Sequence, residues 1–295
     1  MSKLFGDKQH QTASEGSVAI QASGNVNYSG LSYGEVKEIC TDLMKANFPI
    51  LREDARQLSM EYIETFGKKF FERIKEEDQE KSKEKFKNPD VQAAINSSVV
   101  HVARMTNKSH QDILCELLVE KIKEDGDDEN LLINEAIEIT TKMTINQIRF
   151  VVFVYLLQNT SPMKYIEGEA VRDDDKTAQF NHYENFIADV IGNEIYSIDV
   201  DLLVFKGLCV IYTGPYKYPD SLLTLLKEGT GIAMSIYMAG EKIVDGDQLQ
   251  SNFPRLTNII RTFGFNSVAH LDITRITRIS EVIANAYLRT KGLLK

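Results

Sequence analysis

A helix that is apolar on every side can persist only where other elements surround it, and one stretch of this chain reads as such a helix. Thr144 and Gln147 form a T-x-x-Q capping box in front of Ile148–Leu157, whose core from Phe150 to Leu157 is FVVFVYLL. The box starts a helix and the run leaves no polar face for water, so the segment belongs at the centre of a bundle. The apolar run is well short of the roughly 18 residues that a membrane-spanning helix needs.

Other helix starts are signed nearby. Ser32 and Glu35 make an S-x-x-E box before Val36, Ile39, Cys40 and Leu43. Leu51, Ala55, Leu58, Tyr62, Phe66 and Phe70 then lie three or four apart, which predicts a long helix with that face inward. Its continuation, Glu76 to Lys87, is nearly all charged and reads as a solvated helix end or mobile link. Pro89 suits the first turn of a helix bearing Val91, Ile95, Val99 and Val102, and Ser109 with Asp112 caps one bearing Ile113, Leu117 and Leu118. Beyond the acidic loop Glu124–Glu129, Leu132, Ala136 and Ile139 predict another helix. Phe180, Tyr183, Ile187 and Ile191 have the same spacing, Val200–Tyr212 is an apolar run of open type, and the last helix carries Ile276, Ile279, Ile283 and Tyr287.

The front of the chain breaks this pattern. In Ser17–Gly30, SVAIQASGNVNYSG, the apolar residues Val18, Ile20 and Ala22 alternate with polar or small ones, Gly24-Asn25 is a turn pair, and Val26 and Tyr28 resume the alternation. A lone hairpin with so few apolar side chains is marginal in water and must pack on something. It lies on the helical body, or it pairs edge to edge with the same segment of another subunit; the polar lead ahead of it favours the second arrangement.

The expected fold class is mainly α, a multi-helix bundle with a short N-terminal β-hairpin or strand segment. The expected organisation is a flexible lead over residues 1–16, a β-type oligomerisation segment over 17–30 and a helical region over 31–160. A linker or loop over 161–176 and a C-terminal helical region over 177–295 complete it, the two helical regions sharing one core or forming two.

Composition limits the chemistry. With 34 basic against 43 acidic residues the formal net charge is -9, a field that disfavours nucleic acid and anionic membranes as whole-surface partners. Cys40, Cys115 and Cys209 are odd in number and sit in apolar contexts, which fits a reducing cytoplasm. None of His10, His101, His110, His182 and His270 has a second ligand at metal-binding spacing. His182 with Glu184 imitates half of a deaminase signature whose P-C-x-x-C half is missing. Pro219-Asp220 and Asp174-x-Lys176 are nuclease fragments in the wrong order, and Gly229 with Gly231 lacks the rest of a phosphate loop. The acidic loop lacks the sixth-position glycine and twelfth-position glutamate of an EF-hand. Catalytic, cofactor and metal residues are therefore not assigned.

One charge asymmetry remains at the C-terminal end. Arg255, Arg261, Arg275, Arg278, Arg289, Lys291 and Lys295 face only Asp272 and Glu281 there. Read as one helix, Arg275, Arg278 and Arg289 share a polar side. With Asp272 and Glu281 placed for local pairs, this is a surface helix, or else a face for an anionic partner such as the acidic loop of another subunit.

The run Gln11–Gln57 resembles the front end of a family of uncharacterised bacterial proteins with an "AIQA-GG-V" strand, a "GLS-x-x-EV" helix start and an "NF-x-x-L" turn. The matching residues are Ala19–Ala22, Gly24, Val26, Gly30–Ser32, Glu35, Val36, Asn47, Phe48 and Leu51. The resemblance implies a largely helical chain, and similar strand-type front ends on proteins of bacterial anti-phage defence imply that setting. The resulting expectation is a non-enzymatic, cytoplasmic homo-oligomer that self-associates through Val18, Ile20, Val26 and Tyr28. It would act as a sensor or effector on a protein partner or phage-derived trigger, without a cofactor. Two alternatives stay open: a helical hydrolase or nuclease with a site assembled from distant carboxylates, and a membrane-disrupting effector built on Phe150–Leu157 and Val200–Tyr212.

Overall fold

The computed structural model describes residues 32–48, 53–77, 79–160, 164–166, 169–171, 176–211, 253–265, 271 and 274–294. Among these are eleven helices and four short strands in two antiparallel pairs, so the protein is mainly α. The hairpin expected over 17–30, with Val18, Ile20, Val26 and Tyr28, lies outside the described residues, as do Pro219-Asp220, Asp174, Gly229 and Gly231. The chain divides into two compact units, Met1–Gln111 with Leu118–Glu124, and Asp112–Leu117 with Asp125–Lys295. Both sides of the expected linker 161–176 fall in the second.

In the first unit, α1 (Tyr33–Asn47) begins at the capping box, where Ser32 N–H donates to the Glu35 carboxylate at 2.7 Å and Glu35 N–H to the Ser32 hydroxyl at 3.3 Å. Its buried stripe, Val36, Cys40, Leu43 and Met44, packs on α2 (Glu53–Lys75). The buried face of α2 is Ser59, Ile63, Phe66, Phe70 and Ile74 rather than the expected Ala55, Leu58 and Tyr62; Leu58 is 46% exposed. Ser59 turns the register, because its hydroxyl donates to the Ala103 carbonyl at 2.9 Å just beyond α4 (Pro89–Val102). The first two turns of α2 are exposed and give Ala55 and Leu58 nothing to pack on. Pro89 does open α4, capped by Asn88.

The charged run Glu76–Lys87 is not a loose link. Its helix α3 (Gln79–Phe86) sends Lys81 and Lys85, one turn apart, to the carbonyls of Lys123 and Glu124 at the end of α5 (Lys108–Lys123), both at 2.6 Å. The last carbonyls of a helix lack intrahelical partners and carry partial negative charge, so ammonium groups are their natural complement. Phe86 anchors the same helix against Phe70. α5 is capped by Asn107, which accepts from His110 N–H at 3.0 Å, not by Ser109 with Asp112. Within this unit the buried ammonium of Lys121 pairs with Asp90.

The second unit surrounds α7 (Ile145–Asn159), which starts at the Thr144–Gln147 box. Every residue from Phe150 to Val154 is buried. Phe150 meets Phe263 edge-on at 5.2 Å and stacks on Phe265 at 5.5 Å, while Phe153 lies 5.5 Å from Phe263. The acidic loop largely resolves into the first turn of α6 (Asp127–Thr140), where Asp127, Asp128 and Glu129 suit the positive end of the helix. Ala136 of α6 is inward as expected, with Ile133, Ile137 and Thr140 beside it in place of Leu132 and Ile139. Strands β1 (Lys164–Ile166) and β2 (Glu169–Val171) pair antiparallel and precede α8 (Lys176–Ile191).

The open run Val200–Tyr212 becomes α9 (Val200–Phe205), a turn at Gly207 with φ +71, and β3 (Cys209–Ile211). It is thus not one continuous helix, and among the described residues no helix is long and apolar enough to cross a membrane. Helix α10 (Pro254–Thr262) is followed by Gly264, where φ is +99 and a Cβ would be strained and would lie 2.7 Å from the Ser197 hydroxyl, forcing that side chain to shift.

The last helix, α11 (Arg278–Thr290), starts later than its periodicity suggests: Arg275 and Ile276 belong to β4 (Thr274–Ile276), which pairs with β3 in the register Val210↔Arg275. Thr277 N–H donates to the Leu208 carbonyl at 3.1 Å and its hydroxyl to the Gly207 carbonyl at 2.7 Å, so backbone pairing extends to the helix start. α11 packs on α6 and α7, and Gln158 of α7 donates to the Thr274 carbonyl at 2.8 Å.

The register found for α2 has a direct check. Ile63→Ala should cost about 3 kcal/mol in urea denaturation and Leu58→Ala less than about 1 kcal/mol. The opposite order would restore the face read from periodicity.

Candidate functional site

Helices α8 and α10 are joined by polar ties. Pro254 opens α10, and Phe253 at its N-cap has no side chain able to accept from the free N–H groups of the first turn. Glu184 of α8 does so instead: its buried carboxylate accepts from Leu256 N–H at 3.0 Å and from Arg255 N–H. Arg255 then reaches back with its guanidinium to Asn185 at 2.8 Å and Asp189 at 2.9 Å, two residues one turn apart on α8.

Above this clamp runs an open groove of about 380 Å³, with Ala188 and Ile259 among its apolar lining and Asn193, Arg255, Asn258 and Thr262 supplying polar groups. The charge of Arg255 is matched by Asp189, so the groove offers hydrogen bonds more than a field.

The deaminase-like pair does not converge. Residues two apart on a helix point to different sides, and His182 is exposed while Glu184 caps α10. Other titratable groups nearby are committed to the backbone. The Tyr183 hydroxyl donates to the Leu156 carbonyl at 3.3 Å and meets Thr160 Oγ1 at 3.0 Å, with burial pushing its phenol up to about 12. The Tyr287 hydroxyl donates to the Val190 carbonyl at 2.9 Å, and burial raises its phenol too, against the neighbouring Arg149. Burial also takes the thiols of Cys40 and Cys209 up to about 12, which leaves them protonated and inert. Among the described residues no three His, Cys, Asp or Glu side chains gather as metal ligands.

Of the three arginines expected to share one polar face, Arg278 and Arg289 lie on α11 and Arg275 lies in β4. Arg275 is half-buried in β4, opposite Val210. Arg278, exposed at the start of α11, pairs with Glu129 at 2.6 Å, so its acidic partner is the α6 start of the same chain. Arg289 is half-buried, and with Glu281 it flanks Tyr155 of α7: burial and Glu281 raise that phenol while Arg289 lowers it. Asp272 is outside the described residues.

A second surface was not apparent from sequence. Between Tyr196 and Ile211, large apolar side chains face outward: Tyr196, Leu202, Phe205 at 87%, Val210 at 48% and Ile211 at 41% exposed. Leu202 and Phe205 are three apart on α9 and share one side, with Asp201 one turn from Phe205. Lys206 is drawn off, donating to the Lys142 carbonyl at 2.6 Å and to Gln147 Oε1 at 3.2 Å. An exposed Phe on a six-residue helix has no periodic signature, which is why the sequence did not disclose it.

Residues 30–229 match the family model of an uncharacterised family of proteins, and the chain belongs to that family. The match takes in Glu184 and the α9–β3 surface and stops before α10, which Glu184 caps. No curated protein and no solved structure matches the chain significantly.

Burial raises the Glu184 carboxyl above its ordinary 4.5, outweighing the backbone donors and Arg255. The folded state therefore holds that proton more tightly than the unfolded chain, and stability falls as pH rises from 4.5 through the folded value. Urea midpoints from pH 4 to about 7 should show Glu184→Gln gaining on the parent protein across that window. A constant difference would assign the cap no part in the titration.

Proposed function

We propose that this protein works by binding and self-association, as a sensor or effector in bacterial anti-phage defence, and that it is not an enzyme. The observation that carries the binding reading is the concentration of outward apolar side chains between Tyr196 and Ile211. Single exposed apolar residues are ordinary, but Leu202 and Phe205 share one side of α9, and neighbouring apolar exposure of this kind suits an interaction surface. The commitment of Glu184, Tyr183 and Tyr287 to backbone groups supports the same reading, since each holds the fold together. Self-association through the strand-type segment with Val18, Ile20, Val26 and Tyr28 supplies the assembly, because its alternation suits edge-to-edge pairing between copies. The defence setting rests on the resemblance of the front end, and the trigger is a protein partner or a phage-derived molecule.

Solution mass tests the assembly. By light scattering across a concentration series, the full chain should be a defined oligomer and a version lacking residues 1–30 a folded monomer. If both have the monomer mass, self-association through the front segment is wrong. In cells, the intact protein should lower phage plaque counts and a Val18→Asp/Ile20→Asp variant should not. Equal protection by that variant would separate defence from assembly.

A further inference from the structure

The groove between α8 and α10 carries a selective set of groups. Asn258 and Thr262, one turn apart on α10, line it from one helix, and Asn193, just past α8, lines it from the other. Asn193 and Asn258 are exposed while Ala188 and Ile259 are buried, so two carboxamides stand at the rim and aliphatic groups form the floor. Arg255 is turned to Asp189 and Asn185, so an anion entering the groove meets a cation already matched. The described lining holds no aromatic ring, the platform on which a nucleic-acid base stacks. At about 380 Å³ the groove lies at the small end of the range for ligand sites.

We propose that this groove holds a short, extended, uncharged peptide segment of a protein partner, with one aliphatic side chain on Ala188 and Ile259 and its peptide groups on the carboxamides of Asn193 and Asn258. A carboxamide carries one acceptor and one donor group side by side. In an extended strand the N–H and C=O of one residue leave the same edge and bond as a pair, so a single asparagine can meet both. Matched charge at Arg255 and Asp189 selects against a charged occupant, because a charge would be desolvated there without gaining a partner. This rests on the binding reading above but uses neither the front segment nor the α9–β3 surface.

The probe is N-acetyl-leucine N-methylamide, which has a peptide group on either side of one aliphatic side chain, titrated into the isotope-labelled full chain and followed by NMR. Saturable shifts of the Asn193 and Asn258 side-chain amides are expected in the millimolar range, and Asn193→Ala or Asn258→Ala should weaken binding about threefold or more. Asn258→Phe, made at an exposed position, should fill the groove and abolish the shift at Asn193 while the urea midpoint stays close to the parent's. Shifts that never saturate, or an affinity indifferent to all three variants, overturn the proposal. Saturation by inorganic phosphate but not by the amide overturns it as well and makes Arg255 an anion site. Amide binding by a chain of monomer mass would leave this inference standing and remove self-association. An oligomer that lowers plaque counts yet ignores the amide would remove the inference alone.

Discussion

The second unit depends on a helix with no preferred side. α7 is apolar around its whole middle, so burial drives it inward without fixing its rotation about its own axis. Rotation is set at the two ends. At the start, Asn146 exchanges two hydrogen bonds with the backbone of Tyr196, at 2.9 and 3.1 Å, and Arg149 donates to the Glu194 carbonyl. At the finish, Gln158 holds the Thr274 carbonyl and Thr160 meets the Tyr183 hydroxyl. The aromatic contacts with Phe263 and Phe265 then fill a geometry that the polar ends have already chosen.

The same device recurs at helix ends. The C-terminal carbonyls of α5 are met by lysines of α3, and the N-terminal N–H groups of α10 by a glutamate of α8. In both, backbone groups left over at a helix end are met by a side chain of another element. A net charge of -9 is compatible with such a fold because several of its charges act locally, on carbonyls and N–H groups, rather than as a field.

Most features that depend on neighbours in sequence were legible, although the cap of α5 fell to Asn107 rather than to Ser109 with Asp112. Both capping boxes, Pro89 and the buried α7 run need only residues within about one helical turn, and each is found where the spacing predicts. Features set by distant partners were not. The inward face of α2 is turned by a bond from Ser59 to Ala103, and the Lys-rich run is ordered by carbonyls some forty residues away. The α11 start is displaced because Thr274–Thr277 finds a strand partner in Leu208–Ile211, which no helical pattern can announce. Glu184 showed as half of an unrelated motif, and its role appears only beside a helix start 72 residues on.

That borrowed cap also sets an order of events in folding. α10 has nine residues, below the length at which an isolated helix holds together in water, and the carboxylate that satisfies its first turn belongs to α8. Until α8 is in place, α10 lacks both a cap and a surface, and the Phe263 and Phe265 that follow it cannot be presented to Phe150. The loop closure between them must be accomplished before any of these contacts repays it. The cap and the packing surface of α10 thus both depend on α8 being in place.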